Sequence, residues 1–103
     1  MDRIATFRSF IARSPSDPFP RYGLAMELKS TGDVAAAVGE FETLMGSFPD
    51  YVPTYLMAGT TFAETGRVDA ARDAFTRGIA AAQRKGDRHA LGELEAALAA
   101  LPE

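Results

Sequence analysis

Apolar and polar positions along the chain recur with a helical period, three and four residues apart, in six stretches separated by glycine, proline or aspartate. The pattern predicts helices over about 2–13, 18–30, 34–47, 52–65, 68–84 and 87–101. Leu91, Leu94, Leu98 and Leu101 form one apolar stripe on the last of these, which suits a terminal helix closing a core with its polar side outward. The fold class expected is all-α, built from helix-turn-helix pairs. The connections are short, so sequential helices are expected to pack antiparallel.

The pattern also repeats. Shifted by 34 residues, Gly32 falls on Gly66, Ala37 on Ala71 and Phe41 on Phe75. Leu24 falls on Ala58, Ala25 on Gly59 and Leu28 on Phe62. The same shift carries Phe7 onto Phe41, Ile11 onto Met45 and Pro15 onto Pro49. Each matched type has a physical task. Gly32 and Gly66 stand where one helix ends, because glycine takes the left-handed conformation at least cost. Asp33 is placed to cap the helix that follows. Pro15 and Pro49 stop a helix, and Asp17-Pro18 reads as a cap followed by a first helical residue. Small residues at 25, 37, 59 and 71 allow close helix approach, with Phe41 and Phe75 filling the space beside it.

With that period and that Ala25, Gly32, Ala37, Phe41 and Pro49 set, the chain resembles a tetratricopeptide repeat protein. It looks like a small bacterial-type member with two full repeats plus flanking helices. The second unit carries the pattern on Tyr55, Ala58, Gly59, Phe62, Gly66, Ala71 and Phe75. Residues 1–103 then form one domain: a leading half-unit 1–17, repeats 18–51 and 52–85, and a capping helix 86–103. There are departures from the family pattern. Arg21 stands where the family has an aromatic, Gly78 replaces a small alanine, and no proline closes the second unit. The segment 80–87 is about two residues longer than the period requires.

The resemblance implies a short solenoid whose first helices line a concave face that binds a peptide or a partner surface. Once core positions are assigned, helix 18–30 retains the stripe Phe19, Tyr22, Met26 and Lys29. Helix 52–65 retains Pro53, Leu56, Thr60 and Ala63, with Met57 at the edge, and His89 on the last helix turns to the same side. Methionine adapts its shape and tyrosine offers contact area at small entropic cost, which favours a binding face for an apolar helix or extended segment. Two other uses of the stripe remain open. It is covered by the terminal helices 2–13 and 87–101, or it pairs with a second copy in a homodimer or other self-assembled module. A role as a non-catalytic subunit of a larger complex is a further reading. Some family members grip a C-terminal carboxylate with several basic residues. Here Lys29 alone is basic in the groove positions, so that mode is not expected.

Composition narrows the chemistry. There is no cysteine and only one histidine, so no thiolate nucleophile exists and a metal set is not expected. His89 can pair with Glu93 one turn later, or stand as an exposed helix-start histidine near Asp87. Glu40 and Glu42 are two apart and point to different helix faces, so paired-carboxylate catalysis has no support. No phosphate-cradling glycine motif is present, and no cofactor is expected. Arg84-Lys85 reads as complementing a helix C-terminus. The formal net charge of −3 argues against nucleic acid. Basic residues concentrate in 1–21, with four arginines against Asp2 and Asp17, whereas 22–73 holds eight acids against three bases. No apolar run is long enough for a bilayer and the first residues do not resemble a signal peptide, so no membrane insertion and a cytoplasmic setting are expected. The expectation is a non-enzymatic adaptor with a protein or peptide partner.

Overall fold

The computed structural model describes residues 2–103 and is all-helical, with six helices and no strand among the described residues. They are α1 (Arg3–Arg13), α2 (Pro18–Ser30), α3 (Val34–Ser47), α4 (Pro53–Glu64), α5 (Val68–Lys85) and α6 (Arg88–Ala99). Contacts gather into two compact units. The first runs to Phe48 and holds α1, α2 and α3; the second, Pro49–Glu103, holds α4, α5 and α6.

Aspartate starts four of the helices. Oδ1 of Asp2, Asp17, Asp33 and Asp87 accepts a backbone N–H two or three residues on, at 3.0 to 3.2 Å for the shortest contact of each. These bonds satisfy donors that the first turn leaves without an intrahelical partner. Proline at the first position of α2 and α4 lacks only an N–H that would be orphaned there.

One turn design is used three times. Gly32, Gly66 and Gly86 have φ of 92°, 80° and 68°, and each closes a helix. The residue after each glycine reaches back five positions. Asp33 N–H donates to Leu28 O at 2.9 Å, Arg67 N–H to Phe62 O at 2.8 Å, and Asp87 N–H to Ala82 O at 2.9 Å. This is the Schellman arrangement, and the left-handed residue it needs is cheapest as glycine.

In the first unit, α1 and α3 both pack on α2. Leu24, Ala25, Leu28, Ala37, Phe41, Leu44 and Met45 are buried. The Phe7 ring of α1 lies against Gly23, where an added Cβ would stand 2.4 Å from the ring. In the second unit, α5 packs on both α4 and α6, and α4 also meets α6. Its core holds Tyr55, Ala58, Phe62, Ala71, Ala74, Phe75, Ala81, Ala82 and Leu94. Two glycines make these crossings close. A Cβ on Gly59 would meet the Phe75 ring at 2.3 Å, and one on Gly78 would meet Tyr55 Cβ at 2.4 Å and Leu94 Cδ2 at 2.9 Å. Gly78, a departure from the repeat pattern, is thus the residue that lets Tyr55 and Leu94 converge on α5.

The helix ends fall within two residues of the sequence expectation. α5 has 18 residues against 14 in α3. The position equivalent to Pro49 is Gln83, a good helix former, so α5 continues to Lys85 and stops only at Gly86. α6 ends at Ala99, leaving Leu101 in the turn beyond it.

Candidate functional site

The repeat divides each first helix into a buried row and a row beside it. On α2, Leu24, Ala25 and Leu28 are buried, while Tyr22, Met26 and Lys29 are partly exposed and Phe19 is 62% exposed. On α4, Tyr55, Ala58, Gly59 and Phe62 are buried, while Leu56, Met57, Thr60 and Ala63 are partly exposed and Pro53 is exposed. Each stripe is one face of its own helix by the three-and-four spacing. In the first unit α1 reaches α2 at Gly23, and Arg3 lies 3.9 Å from Glu27 one turn further along. In the second unit Leu94 of α6 is directed to Gly78 of α5.

The flanks of these stripes are held differently. In the first unit Arg21 Nη1 donates to Glu40 Oε1 at 2.6 Å, both side chains being only about a quarter exposed. In the second unit the equivalent of Arg21 is Tyr55, whose hydroxyl donates to Pro49 O at 2.6 Å. Burial raises the Tyr55 pKa above 10.0; Arg77 and Arg84 pull it down and Asp50 adds to the rise. Arg84 does not act through the end of α5 alone. Its guanidinium also pairs with Asp50 at 2.8 Å. Arg67 lies over the Phe62 ring, 4.6 Å from its centroid.

His89 stands in the first turn of α6 with its side chain 89% exposed, and its Nε2 lies 3.2 Å from Glu93 Oε1. No group of three or more His, Asp or Glu side chains suited to a metal ion occurs among the described residues. Glu42 is exposed and Glu40 is engaged by Arg21, so the two carboxylates have separate surroundings. No helix among the described residues is long and apolar enough to cross a membrane.

Two features escaped the sequence reading. The Arg21–Glu40 pair is signalled only by a double difference between repeats, Tyr55 for Arg21 and Ala74 for Glu40. A shallow apolar cleft on α1, lined by Arg3, Thr6, Phe7 and Phe10, is signalled by the 34-residue register of Phe7 with Phe41 and Phe75.

No protein-family profile and no curated protein matches the chain. Solved structures do. The solution structure of a tetratricopeptide repeat domain protein from Salinibacter ruber is 38% identical, over 82% of this chain and 86% of that one, with a TM-score of 0.79. A crystal structure of a tetratricopeptide repeat domain protein from the same organism gives 37% identity, 81% and 93% coverage, and a TM-score of 0.77. A solution structure of a Bordetella parapertussis protein is 23% identical over 96% of this chain and 86% of that one, with a TM-score of 0.78, a likeness of fold alone. With the 34-residue period, the glycine turns and the small-residue crossings, these likenesses establish that the chain belongs to the tetratricopeptide repeat family.

Proposed function

We propose that the protein is a non-catalytic adaptor that binds an apolar helical or extended segment of another protein through the stripes on its first helices. Tyr22 and Met26 on α2, and Leu56 and Met57 on α4, supply the apolar anchors. Phe19, Lys29, Thr60 and Ala63 border them, and His89 extends the polar edge. Membership of a repeat family built for protein interaction supports the reading. The observation that carries it is that both first helices keep large apolar side chains partly exposed beside a complete buried row. Side chains that are neither needed for the core nor replaced by charge are the usual sign of a docking surface. Adaptable methionine and rigid tyrosine suit anchoring contacts.

The test is affinity capture from native lysate with wild type and the double variant Met26→Glu/Leu56→Glu, each checked for helicity. The expected result is a protein held by wild type and lost by the folded variant, because a carboxylate in a desolvated apolar contact removes hot-spot energy. Equal capture by both would end the assignment of these stripes.

A further inference from the structure

We propose that copies of this chain associate head to tail, with the outer face of α6 of one copy seated in the α1 cleft of the next. The internal register shows what the cleft is shaped to receive. Its lining residues Arg3, Thr6, Phe7 and Phe10 are displaced by 34 from Ala37, Glu40, Phe41 and Leu44 on α3. A second shift reaches Ala71, Ala74, Phe75 and Gly78 on α5. All of those except Glu40 are buried, and α3 and α5 each pack on the helix that precedes them in the repeat. α1 packs on α2, which follows it. The Phe7 ring is already seated on Gly23 of α2, so the open part of the cleft lies beside Phe10, which stands 43% exposed on the side of α1 that corresponds to the helix-receiving side of α3 and α5.

The occupant has to be a helix with small residues at the crossing, since this chain twice seats a phenylalanine ring on a glycine: Phe7 on Gly23, and Phe75 on Gly59. α6 offers that surface. Its buried row is centred on Leu94, and its opposite side carries Gly92, Ala96 and Ala99, three and four residues apart and all exposed. A Cβ added at Gly92 would meet nothing within 4 Å.

Charge selects the same pairing. α1 carries Arg3, Arg8 and Arg13 against Asp2 at its cap, with Arg3 3.9 Å from Glu27 of α2 and Arg13 lying over the Phe10 ring at 5.6 Å. α6 carries Glu93 and Glu95 against Arg88, Glu93 being engaged by His89. A basic receiving helix and an acidic docking helix attract each other and repel their own kind. Because α1 and α6 are different surfaces, the contact is heterologous and one chain can engage two others.

This surface is distinct from the stripes on α2 and α4, so the two readings fail separately. The experiment is mass by sedimentation equilibrium for wild type, Phe10→Glu, Ala96→Arg, Met26→Glu/Leu56→Glu, and an equimolar mixture of the first two variants. Both altered end positions are exposed, and circular dichroism verifies that each variant is folded. The expected wild-type mass rises above 11.0 kDa with concentration. Phe10→Glu and Ala96→Arg each weaken association by at least about tenfold. Their mixture recovers a dimer and nothing larger, because it holds one intact cleft and one intact α6. The stripe variant associates like wild type. A wild-type mass that stays at 11.0 kDa up to about 1 mM overturns the proposal. So do assembly that survives both end variants and a mixture that gives no dimer. Assembly lost in the stripe variant also overturns it, since that outcome assigns self-association to the other face.

Discussion

The α2–α3 and α4–α5 hairpins occupy the same 34-residue register and reach the same helical pair by different chemistry. α2–α3 is held by polar devices: an Asp17 cap, an Asp33 cap, and a partly buried Arg21–Glu40 ion pair. α4–α5 has no side-chain cap on either helix; its polar ties, Tyr55 to Pro49 O and Arg84 to Asp50, reach the segment ahead of α4, and the crossing itself relies on packing. Tyr55 takes the place of Arg21, Ala74 that of Glu40, Gly59 that of Ala25, and Gly78 that of Leu44. Arg67 stands where Asp33 caps, and covers Phe62 instead. The register fixes where helices cross, and it leaves open whether a crossing is secured by charge and caps or by ring-on-glycine contact.

The largest expected effect breaks the packed hairpin. Gly78→Ala is expected to cost about 3 kcal/mol in chemical denaturation, because Tyr55 Cβ sits at the root of its side chain and cannot swing away. Gly59→Ala should cost less, about 1–2 kcal/mol, because the Phe75 ring it meets is the far end of a side chain. The matching position in the other hairpin is already an alanine, Ala25, fully buried there.

The ion pair is next. Arg21→Ala is expected to cost about 1–2 kcal/mol by leaving Glu40 partly buried without its cation. Transplanting the other hairpin's solution, Arg21→Tyr with Glu40→Ala, should recover most of that loss. A double-mutant cycle on thermal unfolding measures the coupling; additive losses would mean that the pair contributes nothing of its own. Asp33→Ala should cost about 1 kcal/mol for the cap, and Arg67→Ala, at the same register, about half that for the cation over Phe62.

Two further effects concern buried polar groups of α4. Thr54 Oγ1 is fully buried without a hydrogen-bond partner, and Pro20 holds its register position in the other hairpin. Thr54→Val is expected to stabilise the protein by about 1 kcal/mol, read as a rise in melting temperature. Tyr55 gives a pH signature. Its folded pKa lies above 10.0, so the unfolded chain deprotonates first. Its contribution is complete below pH 10.0 and is lost as the pH climbs toward the raised folded value. Tyr55→Phe should flatten that alkaline loss while leaving the rest of the stability–pH profile in place.

Sequence periodicity located every helix, and the glycines and the Asp17 and Asp33 caps were legible because each acts within a few residues of itself. The features that were not legible depend on a second residue far along the chain. Arg21 breaks the aromatic pattern of the repeat, and its reason is Glu40, 19 residues on. Gly78 breaks the small-alanine pattern, and its reason is the convergence of Tyr55 and Leu94 on it. The turn at Gly86 and Asp87 was legible as the break between 84 and 87, about two residues later than the period requires, because Gln83 does not stop the helix as Pro49 does. The proposed binding residues are what remains on α2 and α4 once the core is assigned, and their role rests on the variants that test it. The α1 cleft was not legible, because its meaning lies in comparison with α3 and α5 as folded elements.

The proposed anchoring of a protein segment by the apolar stripe on α2 and by that on α4 is tested most directly by calorimetric titration of the captured partner against three proteins. These are wild type, Met26→Glu and Leu56→Glu. Each single variant is expected to weaken binding by at least about tenfold while helicity is retained. Affinities unchanged in both variants would contradict it.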